Sequence, residues 1–114
     1  MILKSLLKMK KFKFKNMYRG WFIGNFNPSV LKTKKFEVGY LKHFKNEKWP
    51  AHVHKKTTEY NLLVRGEMVI NNRKIKKGEI FVINKGEVCR VKFLKNCELV
   101  VVKVPSNPLD KFEV

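Results

Sequence analysis

Three side chains between Trp49 and Ile70 have the types and spacing of metal ligands. One residue separates His52 from His54, and Glu59 follows after four more. On a β-strand, side chains alternate with period two, so both imidazoles would lie on the same face. A carboxylate entering on the next strand could then meet both rings. Two neutral nitrogens and a carboxylate suit a divalent transition metal with open coordination positions, such as iron, manganese, zinc or nickel.

Cys89 is the candidate for a fourth ligand, and two interpretations of it stay open. As a thiolate it would ligate the ion and favour zinc or another thiophilic metal. As a neutral thiol it would be a buried side chain that only fills space. Without Cys89, three protein ligands remain, and water or substrate completes an open, catalytic type of coordination.

This spacing, HxHx4Ex6G with Gly66 as its last residue, resembles the first motif of the cupin superfamily. The second cupin motif is matched less completely. Gly78 and Gly86 are in register with its two glycines, but Asn84 stands where proline is usual, and Cys89 stands where the histidine ligand is usual. Asn46 replaces the glycine that opens the first motif.

The resemblance covers about residues 36–104 and implies an all-β fold, a cupin-type jelly-roll β-sandwich or barrel in a single domain. It also implies one metal ion on His52, His54 and Glu59, with Cys89 in the place of the usual fourth ligand. Because small cupins commonly pair through strand exchange or sheet packing, it implies a homodimer as well. We expect the N-terminal strand 11–15 to be the exchanged edge.

Hydrophobic alternation supports the same fold class independently. Short alternating segments separated by turn residues indicate a sandwich or barrel, and no helical pattern of useful length is present. The predicted strands are 11–15, 20–26, 36–44, 59–65, 67–70, 73–75, 79–83, 88–94 and 98–104. We assign residues 11–114 to the domain and residues 1–10 to an N-terminal extension, with either Met1 or Met9 as the start.

Four polar side chains are predicted to surround the metal. Tyr40, Lys42 and Asn61 are the candidate catalytic groups, and Lys42, Asn61 and Arg65 the candidate substrate-binding groups. Tyr40 could transfer a proton, Asn61 could donate a hydrogen bond, and the two cations could hold a negatively charged substrate. The alternatives are an aromatic core residue for Tyr40 and a solvated lysine for Lys42. His43 is expected to face away from the site.

The composition limits the partners and the location. The net charge is +17, yet only four of the 26 basic residues are arginines, the residue that most often reads base edges. We therefore predict an anionic small molecule and no specific nucleic acid as the partner. No apolar run has the length of a membrane span, so no membrane partner is expected. Two cysteines form no disulfide framework, which favours a reducing, cytoplasmic location.

The leading functional hypothesis is a metal-dependent enzyme of the isomerase or lyase type that acts on a small anionic metabolite, such as a sugar or keto acid. The alternative from another class is a non-catalytic, small-molecule binding or regulatory protein whose metal is structural or absent. The fold alone does not separate the two, because cupins of both kinds exist.

Overall fold

The computed structural model describes residues 8–114, which form eleven short β-strands and one turn of 3-10 helix at Phe14–Asn16. The strands are β1 (Trp21–Ile23), β2 (Glu37–His43), β3 (His52–Val53), β4 (Thr58–Arg65), β5 (Glu67–Ile70), β6 (Arg73–Lys76), β7 (Ile80–Ile83), β8 (Val88–Cys89), β9 (Val91–Phe93), β10 (Cys97–Val104) and β11 (Phe112–Glu113). In this part of the chain, no helix has the length and apolar character needed to cross a bilayer.

The strands form one five-stranded and two three-stranded sheets, and all the strand pairs are antiparallel. The large sheet has the order β1-β2-β10-β4-β7, and the small sheets have the orders β11-β3-β8 and β6-β5-β9. Core side chains from all three sheets pack into one cluster: Leu63, Met68, Ile70, Ile75, Ile83, Cys89, Phe93, Cys97, Leu99 and Val101. The predicted all-β jelly-roll class is therefore confirmed.

The hairpin between β5 and β6 follows directly from its turn residues. Asn71 and Asn72 both have positive φ, 47° and 64°, the backbone that a two-residue hairpin turn with the right twist requires. Asparagine tolerates this conformation better than most residues. The Asn71 side chain also accepts from the backbone N–H of Arg90 at 2.9 Å, which fixes the chain between β8 and β9.

Two segments differ from the predicted strands. Residues 11–15 form no strand but lead into the 3-10 turn, and Phe12 and Phe14 are about half exposed. This segment alternates between lysine and phenylalanine, but within residues 8–114 it pairs with no neighbouring strand. The segment 88–94 is divided at Arg90, because β8 pairs with β3 whereas β9 pairs with β5. One apolar run thus serves two sheets.

The C-terminal segment, which follows the last predicted strand, packs against the rest of the domain. The buried Glu37 carboxylate accepts the Asn107 backbone N–H at 2.9 Å, and the Ser106 hydroxyl accepts that of Asn25 at 2.8 Å. Further on, β11 pairs with β3, placing Phe112 opposite Val53. The C-terminal segment therefore covers the strand that carries His52.

The outer face of the five-stranded sheet exposes neighbouring apolar side chains on β4 and β7. Ile80 is 70% exposed, Tyr60 46% and Val82 45%. Contiguous exposed apolar side chains can mark a protein–protein contact. Since residues 11–15 form no strand to exchange, we expect two copies to associate through this outer face instead.

Sedimentation of the parent should then give a species of twice 13.5 kDa at micromolar concentration. Added salt should strengthen the dimer by screening the repulsion between two copies of net charge +17. Ile80→Asp should yield monomers, whereas Leu109→Asp, at an 87% exposed position outside this face, should not. A parent that sediments as a monomer would contradict this interface.

Candidate functional site

The interior of the barrel contains a cavity of about 790 Å³ that is open to solvent. Core side chains form its apolar wall, among them Met68, Phe93 and Leu99. The polar groups that line it include His52, His54, Glu59, Asn61, Cys89, Lys103 and Lys111. An apolar cavity with a few convergent polar groups is the usual form of a small-molecule site.

The structure brings the two histidines of the HxH motif into this cavity. His52 lies on β3, His54 follows the end of that strand, and their ring centroids are 5.3 Å apart. Both residues are buried. Burial lowers the pKa of His52 against the opposing influence of the Pro50 carbonyl, so this imidazole is neutral near pH 7. A neutral imidazole is the form that ligates metals.

His54 has acceptors on both sides of its ring. Its Nδ1 faces the backbone carbonyl oxygen of Asp110, which can only accept, so Nδ1 carries a proton and donates. Its Nε2 lies 3.2 Å from the Glu59 carboxylate oxygen Oε2. A neutral ring would turn the Nε2 lone pair toward that anion. The arrangement therefore calls for a positive charge between Nε2 and Oε2, supplied by a proton on the ring or by a cation.

Glu59 and Asn61 both enter the cavity from β4. Burial would raise the pKa of Glu59, but the hydrogen bond with His54 and the charge of Lys103 outweigh it and lower this pKa. Glu59 is therefore ionised near neutral pH. Asn61 is buried, and within residues 8–114 its Nδ2 has no hydrogen-bond partner. This amide lies close enough to Glu59 to help lower the pKa of that carboxyl, and it has donor capacity left for a ligand.

Cys89 lies directly opposite His52 in the β3–β8 register and is buried. Burial, followed by the charge of Glu59, raises the pKa of its thiol to about 12. The thiol is therefore protonated at neutral pH, and ligation would require an ion that displaces the proton. Cys89 is therefore placed where a metal ligand could lie, but its protonated thiol is typical of a cysteine that only fills space.

The donors match a transition metal in chemical type and in orientation, but not as a finished cluster. The Asp110 carbonyl accepts from His54 Nδ1, as backbone carbonyls often do beside metal-ligating histidines, and Nε2 is turned toward the Glu59 carboxylate. Across residues 8–114, however, no three His, Cys, Asp or Glu side chains already have the mutual spacing that holds a metal ion. Coordination by all three side chains would require them to move closer together.

Tyr40 and Lys42 are predicted to face the cavity, but they lie on the outer face of β2. The Tyr40 hydroxyl donates to Glu98 Oε1 at 2.8 Å on the outer side of the large sheet, and this hydrogen bond raises the pKa of Tyr40. Lys42 pairs in register with Glu98 and is exposed. The reason is that Gly39 faces inward, where Trp21 packs over it. Tyr40 and Lys42 nevertheless contribute to the lining of the cavity.

Arg65 also lies outside the cavity, contrary to the prediction. A β-bulge interrupts the β4–β10 register, so that Arg65 pairs with Glu98 whereas Leu63 pairs with Leu99. The extra residue turns Arg65 to the outer face, where its Nη1 lies 3.4 Å from Glu98 Oε2. Alternation counted along the sequence fails at a bulge, because two residues there oppose one.

His43 replaces Tyr40 and Lys42 on the inner face of β2. Its ring stacks on Phe93 with centroids 4.4 Å apart, and its Nδ1 lies 2.6 Å from a Glu47 oxygen. The prediction that His43 faces away from the cavity is wrong. Its contacts give it a structural role at the cavity wall.

Three residues of the site carry no local signal in the sequence. Lys103 lies opposite Glu59 in the β10–β4 register, and Lys111 reaches the cavity from the C-terminal segment. The Asp110 carboxylate accepts the backbone N–H groups of Lys55, Lys56 and Thr57 at 2.8–3.0 Å. It thereby fixes the turn between His54 and Glu59. The one available signal is that Asp110 is the single aspartate of the chain.

Three antiparallel sheets around one cavity, with the HxH pair and Glu59 on its wall, define the class of this domain. The chain has the double-stranded β-helix fold of cupin domains. No family model and no curated protein matches the sequence.

Solved structures share this fold at low sequence identity. An uncharacterised conserved protein with a double-stranded beta-helix domain from Klebsiella pneumoniae is 22% identical with a TM-score of 0.61, covering 68% of this chain and 70% of that one. An oxalate oxidase in complex with the substrate analogue glycolate is 21% identical with a TM-score of 0.61, covering 70% and 46%. The Schizosaccharomyces pombe Cnp3 cupin domain is 17% identical with a TM-score of 0.55, covering 63% and 57%. The chain thus matches less than half the length of the oxalate oxidase.

Proposed function

We propose that the protein is a metal-dependent enzyme of the isomerase or lyase type, acting on a small anionic metabolite such as a sugar or keto acid. The observation that carries the proposal is His54, whose two ring nitrogens face the Asp110 carbonyl and the Glu59 carboxylate. A divalent ion at Nε2 would satisfy both the ring and the carboxylate.

The ion would be held by His52, His54 and Glu59, with Cys89 as a possible fourth ligand. Zinc, iron, nickel and manganese all suit this donor set, and zinc is favoured if the thiolate ligates. When bound, such an ion supplies Lewis-acid polarisation of a substrate oxygen.

The other residues of the cavity bind and orient the substrate. The Asn61 amide is positioned to donate a hydrogen bond into the cavity. The apolar wall, with Phe93 and Leu99, excludes water from the ligand and strengthens each polar contact. We assign no role in the site to Tyr40, Lys42 and Arg65. The side chains of Tyr40 and Arg65 contact Glu98 instead, and Lys42 is exposed.

A specific observation favours the alternative, a non-catalytic binding protein. In the described chain no three donors are preorganised for a metal, and a protonated His54 would also satisfy Glu59. The same cavity would then bind an anionic ligand without a metal. The two functions differ in whether the purified protein carries an ion.

Elemental analysis of protein purified without chelators separates them. We expect close to one metal ion per chain in the parent and at least a tenfold loss in His52→Ala and His54→Ala. His43→Gln is the matched control, because this histidine also lines the cavity but hydrogen-bonds Glu47. Cys89→Ala shows whether the thiol ligates. If the parent holds no metal even after reconstitution with zinc, iron, nickel or manganese, the enzyme proposal is wrong and the binding function stands.

A further inference from the structure

Two ammonium groups of the cavity have no part in the proposed metal site. Lys103 Nζ lies 4.9 Å from the ring centroid of Trp21, and Lys111 Nζ lies 4.0 Å from that of Trp49. Lys103 is half-buried on β10, and Lys111 stands at the open edge of the cavity. Each cation is thus held by an indole face, a favourable contact that fixes the position of the charge.

Within residues 8–114, neither lysine forms a salt bridge. The charge of Glu59 acts on both lysines only from a longer distance. Two carboxylates line the cavity, and other groups already engage both: Glu59 contacts His54, and Glu47 contacts His43 and the Trp49 indole N–H. The two positive charges are therefore only partly compensated, by carboxylates that lie beyond salt-bridge distance.

The two lysines also influence each other and the rest of the site. Partial burial of its ammonium, followed by the charge of Lys103, lowers the pKa of Lys111. Lys103 in turn helps to lower the pKa of Glu59. A negatively charged ligand between the two cations would relieve their repulsion in a partly desolvated place, where charge interactions are stronger than in water.

We propose that Lys103 and Lys111 form the anion-binding pair of the cavity and hold the carboxylate or phosphate group of a small ligand between them. This inference rests on the proposed function and assigns the recognition of negative charge to residues other than Lys42 and Arg65. The anionic end of the ligand lies toward the two indoles, and its remainder extends toward His54 and Asn61.

The two tryptophans of the chain report on the two lysines separately. We would titrate oxalate and, in a second series, inorganic phosphate at constant ionic strength, following the Trp21 and Trp49 indole N–H signals by NMR. Both signals should shift together and saturate. Lys103→Gln and Lys111→Gln should each weaken binding at least tenfold. Lys74→Gln is the matched control, since its Nζ lies 3.7 Å from Glu67, outside the cavity, and it should bind as the parent does.

The inference is overturned if neither anion shifts the indole signals, if only one signal moves, or if both lysine variants bind like the parent. Metal content measured on the same samples keeps the two proposals apart. Anion binding lost in the lysine variants with metal retained supports the pair. A parent that binds phosphate but holds no metal, even after reconstitution, overturns the metal proposal and leaves the lysine pair in place.

Discussion

Asp110→Ala is expected to destabilise the domain by about 3 kcal/mol, because it leaves the backbone N–H groups of Lys55, Lys56 and the buried Thr57 without their acceptor. For a domain of this size, the melting temperature should fall by roughly 10–15 °C. Glu113→Ala removes a carboxylate from the same segment but at an exposed position, and should have little effect. Equal unfolding free energies in urea for the parent and Asp110→Ala would contradict this role.

The contribution of Asp110 should also depend on pH. Burial would raise the pKa of this carboxyl, but hydrogen bonds from the Lys56, Lys55 and Thr57 N–H groups outweigh it and lower the pKa below 3.8. A folded pKa below the unfolded one means that the ionised form stabilises the native state. This stability is present above the unfolded pKa, near 3.9, and is lost as the pH falls through the lower folded pKa. The difference between the parent and Asp110→Asn should therefore narrow below about pH 4.

Gly66→Ala is expected to have the second large effect, a loss of about 4 kcal/mol or failure to fold. Gly66 has φ +100°, and an added Cβ would lie 2.7 Å from Cys97 Sγ and closer still to the Asn96 backbone oxygen. The Asn96 oxygen belongs to the backbone and cannot move without shifting the start of β10. The last glycine of the first motif is thus required by its close backbone contact.

Gly78→Ala is the matched control for this prediction. Gly78 has a similar φ, +87°, but an added Cβ would meet nothing within 4 Å. Gly78→Ala should therefore lower the free energy of unfolding only by the backbone strain, about 1 kcal/mol. The difference between the two variants in urea unfolding measures the steric contact. Similar losses in both would show that positive φ alone, and no close contact, explains Gly66.

Much of the first motif could be predicted because its geometry is local. His52 and His54 are two residues apart, and Glu59 and Asn61 are two residues apart, so the strand period places each pair on one face. The asparagine turn at Asn71 is equally local, since the residue type itself permits positive φ.

The face of β2 could not be predicted in this way. Both of its faces contain apolar residues, so alternation shows which residues share a face but not which face points into the core. Packing decided it, because Trp21 occupies the space above Gly39 and directs Leu41 inward. The prediction for Arg65 failed for a related reason. A bulge reverses the alternation of faces along a strand, and it can be located only when the pairing with the partner strand is known.

The sequence by itself determined the all-β class, the strand spacing and the HxH-and-glutamate group, because each depends on neighbours a few residues apart. Only the tertiary structure decided which charges meet in the cavity. Asp110 reaches its partners across 53–55 positions of the chain, and Lys111 comes from the same distant segment. Such contacts depend on how the sheets close around the core, and no local periodicity encodes that closure.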